Sequence, residues 1–266
     1  MTAGHAGSVI RNTFQILPSV GNGKERNLWK NGVRDWDEFR GERKVKGISA
    51  ERKEAMDRHL DRADEFLDRG MTDYFSRILP TVEHWRLYDR FRKDTAFLDI
   101  ETDGRSSYAN VTVVGIHRSE GTVALVRGQD LSAESLAEAL DGVKLLVTFN
   151  GSSFDLPILG YHFPLAVPRV PHFDLRHACR RVGLVGGLKS VEKQLGMCRA
   201  REVEYVTGEE AVYLWRAWER SGSKNALKLL KRYNEEDTVN LRPIAERVYG
   251  ELSDRILKFS GERCGT

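Results

Sequence analysis

The chain has 266 residues, enough for one large core or for one domain of ordinary size with a smaller attachment. No stretch approaches the roughly 18 to 20 consecutive apolar residues of a membrane span, and Met1 to Ser8 lacks the charged and apolar parts of a signal peptide, so a soluble cytoplasmic protein without a membrane partner is expected. A formal charge of +3, from 42 basic and 39 acidic residues, is too small to identify a partner by itself.

Cys179, Cys198 and Cys264 are odd in number and widely spaced, which suits neither a disulfide framework nor a zinc site; the first two are expected to pack as reduced thiols. Charge is uneven along the chain. Arg176, Arg180, Arg181, Lys189, Lys193, Arg199 and Arg201 face a single acid, Glu192, and Lys224, Lys228, Lys231 and Arg232 face none. Such runs can hold a polyanion, and solvated helix faces are the alternative.

Residues 1–48 read as a unit of their own. Phe14 to Pro18 leads into the turn Ser19-Val20-Gly21-Asn22-Gly23, a helix follows through Leu28 and Trp29, Gly32 stops it, and Trp36 and Phe39 mark a second apolar face. The segment resembles a helix-hairpin-helix element, with Ser19 where that family favours the first of two glycines. Residues 49–92 form a helical linker: Ala50, Met56, Leu60 and Phe66 recur at helical spacing up to about Asp68, and Met71 to Leu79 adds a short helix ended by Pro80.

The pattern then changes to strands, at Thr95–Glu101, Val111–His117 and Thr122–Val126, the last two joined as a hairpin through Ser119-Glu120-Gly121. A capped helix over Ser132–Leu140, a strand over Leu145–Phe149, a fifth strand near Val170–Leu175 and helices to the end complete the order. This predicts an α/β fold, a mixed five-stranded sheet with helices on both faces, in the order of ribonuclease H-like domains, over residues 93–250; residues 251–266 form a tail.

Side chains two apart on a strand share a face, so Asp99 and Glu101 project together while Leu98 and Ile100 pack the other way. Paired carboxylates on a buried strand repel unless a cation neutralises them, and hard divalent ions are the natural partner. A surface acid pair is the alternative. Asp155 stands where the buried strand ending at Phe149 passes through Asn150-Gly151-Ser152-Ser153-Phe154 into a helix, as a ligand or as a plain first-turn acid stabilising the helix dipole. In Tyr233-Asn234-Glu235-Glu236-Asp237 the first and last residues are four apart and share one helix face, while Glu235 and Glu236 turn away. An exposed acidic turn with Tyr233 merely packing is the alternative there.

Asp-x-Glu on the first strand, Asn-x-x-x-Phe-Asp after the fourth and Tyr-x-x-x-Asp on a late helix together resemble the DEDD (DnaQ-like) 3′-to-5′ exonucleases, and within them the YprB-type ribonuclease H-like domains, over about Lys93 to Tyr249. The subtypes differ in whether His or Tyr precedes the last Asp. Arg232 stands at the His position and Tyr233 at the Tyr position, so the chain is similar to the Tyr subtype. The resemblance implies metal ligands at Asp99, Glu101, Asp155 and Asp237, and Tyr233 orienting the attacking water. It also implies two divalent ions, magnesium or manganese, about 3.5 to 4 Å apart. Thr102, Asp103, Asn150 and Phe154 then lie by the terminal nucleotide, with Lys189 and Lys193 guiding the strand. Single-stranded 3′ ends, DNA before RNA, are the implied substrate; a structure-selective endonuclease and a non-catalytic nucleic-acid-binding protein are the alternatives.

Overall fold

The computed structural model describes residues 8–104 and 110–261. A 3-10 turn at Val9–Asn12 precedes helices α1 (Asn22–Lys30) and α2 (Trp36–Gly41), the latter capped by the Asp35 side chain, which accepts from the Glu38 N–H. Ser19, at the position of the expected first glycine, has a φ of 62°, so the turn takes the left-handed conformation although its residue bears a Cβ. Helix α3 (Ala50–Asp68) starts at its Ser49 cap, and α4 (Thr72–Ile78) gives way to a 3-10 segment at Thr81–Leu87.

Strands β1 (Thr95–Thr102), β2 (Val111–Arg118) and β3 (Gly121–Val126) form an antiparallel meander. Helix α5 (Ala133–Ala139), opened by a Ser132/Ser135 capping box, crosses to β4 (Leu145–Thr148), and α6 (Asp155–His162) crosses to β5 (His172–Asp174). The sheet order is β3-β2-β1-β4-β5, with β4 and β5 parallel to β1, so the mixed five-stranded arrangement expected from the sequence is the one found. The fifth strand is shorter than expected. Pro171 has no N–H for the ladder, and the Asp174 side chain already caps the next helix by accepting from the Arg176 N–H.

Helices α7 (Leu175–Arg181), α8 (Leu188–Gln194) and α9 (Gly208–Ser221) follow, and α10 (Lys224–Gly261) packs against β1, β2, β3 and β4. At 1.5 Å per residue its 38 residues span about 57 Å. No described helix is long and apolar enough to cross a membrane.

The sheet has two differently filled faces. Ala96, Leu98 and Ile100 pack with Leu136, Leu140, Ile158 and Leu159 under α5 and α6. Phe97, Val147 and Phe173 face the other way, toward Leu241, Ile244 and Val248 of α10. Strand alternation therefore carries Asp99 and Glu101, in step with Phe97, toward α10. The same core takes in Phe14, Leu28, Trp36 and Phe39 of the first forty residues, so that segment packs on the sheet domain. A buried ionic contact ties the same segment to Thr81–Leu87: Arg86 donates to Glu25 at 2.9 Å and to Glu83 at 2.7 Å. Cys179 packs as expected, and Cys198 does not: it is exposed, in the loop after α8.

Candidate metal centre

Asp99 sits opposite Gly115 in the β1–β2 register. A Cβ on Gly115 would come within 2.3 Å of both Asn234 Oδ1 and Thr238 Oγ1, so glycine is what lets α10 lie directly on β2. That approach brings Asn234 to Asp99, where its Nδ2 donates to the carboxylate at 2.9 Å and to the backbone carbonyl at 3.3 Å. Asp237, one turn further along α10, completes a group with Asp99 and Glu101 in which one carboxylate oxygen from each lies within 4.8 Å of the others. It is the only such group of metal-ligating side chains among the described residues.

The fourth acid, Asp155, is the first residue of α6 and lies outside that group. One of its oxygens accepts from the Ile100 N–H at 3.1 Å, which ties it to β1 between Asp99 and Glu101. Its charge is felt by both of them.

All four carboxyls are held above their usual range. Burial is the leading cause at Asp99 and Glu101, with the charges of Asp237 and Asp155 adding to it. Asp155 is pushed up to about 7, by burial first, against the hydrogen bonds it accepts. Asp237 is raised by burial and pulled back by Arg199, with which it forms an ion pair, and by the Tyr233 hydroxyl, which donates to it. Burial and the surrounding carboxylates also raise Tyr233, so its hydroxyl keeps its proton and acts as a donor.

This donor set fits a hard divalent ion. Every ligand is an oxygen. Octahedral bonds of about 2.1 Å place neighbouring oxygens about 3 Å and opposite ones about 4.2 Å apart, inside the separation found. A dication would offset the burial that raises all four carboxyls and relieve the repulsion that adds to it at Asp99, Glu101 and Asp155.

The remaining residues singled out by the sequence fall in different places. Thr102, half-buried, ends β1 at an irregularity in its pairing with β2. Asp103 is fully buried; its carboxylate accepts from the Asn110 N–H and Nδ2 and lies 3.6 Å from Arg127. Asn150 has a φ of 69° and is fixed by its N–H to Asp174 at 2.8 Å and by Arg176, which donates to its Oδ1 at 2.8 Å. Phe154, at the N-cap of α6 beside Asp155, is 42% exposed. The Lys189 ammonium lies 5.2 Å from the centre of the Tyr233 ring and donates to the Val206 carbonyl, and Lys193 is exposed.

Three residues of the site went unread in the sequence. Asn234 lies inside the Tyr-x-x-x-Asp motif, and the signal that could have found it is its adjacency to Tyr233. Gly115 gave none beyond a glycine within a strand. Arg199 stood in a basic run yet is buried, donating to Glu192 through Nε and Nη2 at 2.7 Å each. The second basic run, with Trp218, lines a groove of about 930 Å³ between α9 and α10. Lys228 and Asp237 are nine residues apart on one helix, so at 100° per residue this groove opens on the side of α10 opposite the carboxylates.

No curated protein matches the chain. Among solved structures it is similar to one described as the apo form of the nuclease, with 18% identity, 65% of this chain and 80% of that chain covered, and a TM-score of 0.44. The family model of the RNase_H superfamily matches residues 96–249, more than half of the chain and all four carboxylates, and the chain belongs to that superfamily.

Proposed function

We propose that the protein is a metal-dependent 3′-to-5′ exonuclease acting on single-stranded nucleic acid, DNA before RNA. The observation that supports it best is the convergence of Asp99, Glu101 and Asp237, from segments far apart in sequence, into one oxygen-only group with Asp155 beside it. Asp99, Glu101 and Asp237 hold the first ion in this reading, and Asp155 helps to hold a second. When bound, such ions supply Lewis-acid polarisation of a phosphodiester and an acidified water.

The chain's own residues do the rest. Asn234 orients the Asp99 carboxylate by donating to it, and its second hydrogen bond, to the Asp99 backbone carbonyl, holds the amide in place. Tyr233, protonated and donating to Asp237, orients neighbouring oxygens and does not abstract a proton. Phe154, exposed at the rim next to Asp155, offers a face on which the terminal base stacks once out of its helix.

The test is degradation of 5′-labelled single-stranded DNA and RNA, with a circular single strand alongside, in Mg²⁺, Mn²⁺ or EDTA. The expected outcome is a ladder shortening from the 3′ end, abolished by EDTA and lowered at least about a thousandfold in Asp99→Ala and Asp237→Ala. Cleavage of the circle would replace the exonuclease by an endonuclease. Intact substrate with retained binding would make the protein a nucleic-acid-binding one.

A further inference from the structure

Asp237 is held by more than the residues of its motif. Arg199, from the loop between α8 and α9, ion-pairs with it and is itself gripped by Glu192 at 2.7 Å through Nε and Nη2. Glu192 in turn accepts from Asn240 Nδ2 at 2.9 Å, one turn along α10 from Asp237. Arg199, Glu192 and Asp237 are all buried at their side chains, so the contact is formed in a medium of low dielectric. The Arg199 plane lies 5.7 Å from the centre of the Tyr233 ring, which brings it to the other functional side chain of that helix face. Its third nitrogen, Nη1, is buried without a hydrogen-bond partner, so the guanidinium is incompletely satisfied where it rests.

We propose that Arg199 is a resident counter-cation of Asp237, a positioning residue that pairs with this carboxylate when no ion is bound and that a divalent ion must displace from it. The inference rests on the reading of Asp99, Glu101 and Asp237 as a metal centre. Glu192 then has a defined part. It keeps half of the guanidinium occupied, so that Arg199 competes for Asp237 with only part of its hydrogen-bonding capacity and stays anchored when the ion takes over. Without this counter-charge Asp237 would stand buried beside other carboxyls with no cation paired to it. With it unopposed by Glu192, the ion would be held out.

Two substitutions therefore shift ion binding in opposite directions, which a merely structural role would not do. In Arg199→Met the Kd for Mn²⁺, read by titration calorimetry or by the electron paramagnetic resonance of free Mn²⁺, falls at least about tenfold. The same variant melts lower than wild type in EDTA and gains more from Mn²⁺. In Glu192→Gln the Kd rises, because Asp237 becomes the sole carboxylate partner of Arg199. Lys189→Met is the control: its ammonium reaches the site by charge without an ion pair to Asp237, and its removal shifts the Kd several-fold less.

An unchanged or weakened affinity in Arg199→Met overturns the proposal, as does an equal gain in Lys189→Met, which would reduce the effect to the local field. Should Arg199→Met fail to fold, the sign of the Glu192→Gln shift decides. Wild-type protein that binds no Mn²⁺ would remove the metal centre and this inference together. Mn²⁺ binding without nuclease activity would remove only the exonuclease.

Discussion

Gly115 and Asn234 show how a single missing Cβ positions a carboxylate. The glycine lies in the middle of the sheet, between β1 and β3, with hydrogen-bonded neighbours on both sides, and α10 presses Asn234 and Thr238 onto it. Nor can the Thr238 side chain turn away freely, since its Oγ1 donates to the Asn234 carbonyl at 2.6 Å. Gly115→Ala is therefore expected to lower stability by about 2 to 3 kcal/mol, read as a lower urea midpoint with an unchanged slope. It should also reduce nuclease activity, because the lost approach takes Asn234 away from Asp99. A variant as stable as wild type would mean that α10 can lift off the sheet without cost.

At the level of elements, the strand that carries Asp99 and Glu101 was legible because alternation on a buried strand is a strong local pattern, and Leu98 and Ile100 do pack on the face opposite Phe97. The helix carrying Tyr233 and Asp237 was legible for the same reason, with a period of 3.6 in place of 2. Arg199 was not, because a basic residue in a loop between two helices has no periodicity, and only the folded chain tells a buried counter-charge from a solvated one. The partition of the first forty residues was equally opaque, since the apolar positions that define their helices do not say against what those helices pack. Helix α9 offers a separate test of local encoding. Its Thr207/Glu210 capping box is reciprocal, with the Thr207 side chain accepting from the Glu210 N–H and the Glu210 carboxylate accepting from the Thr207 N–H at 2.7 Å. Thr207→Ala should cost about 1 kcal/mol in thermal unfolding, with the metal-dependent activity retained. A loss of several kcal/mol would show that the start of α9 also supports the packing of Val206 and Trp215 against α10.

For the whole molecule, the four raised carboxyls link ion binding, pH and stability. Asp155 titrates near 7 in the folded chain against about 4 when unfolded, so the folded state holds a proton that the unfolded one has released. Its contribution therefore falls as pH rises from about 4 to 7, and Asp99 and Glu101 act in the same direction. The buried His172, lowered to about 4, works oppositely below about pH 6.5. An ion at the carboxylates requires them deprotonated and leaves His172 untouched. The stabilisation gained on adding Mn²⁺, measured as the difference between urea midpoints with and without it, should accordingly grow from about pH 5.5 to about 7.5. A gain independent of pH would place the ion elsewhere. The long separation between Asn234 and its partner Asp99, 135 residues, has a consequence for the order in which the protein is made. Strand β1 with Asp99 and Glu101, and then α6 with Asp155, leave the ribosome first, and the helix bearing Asp237 follows later. A growing polypeptide thus lacks the complete carboxylate group until α10 has emerged, and the centre assembles only once that late helix can reach back to β1.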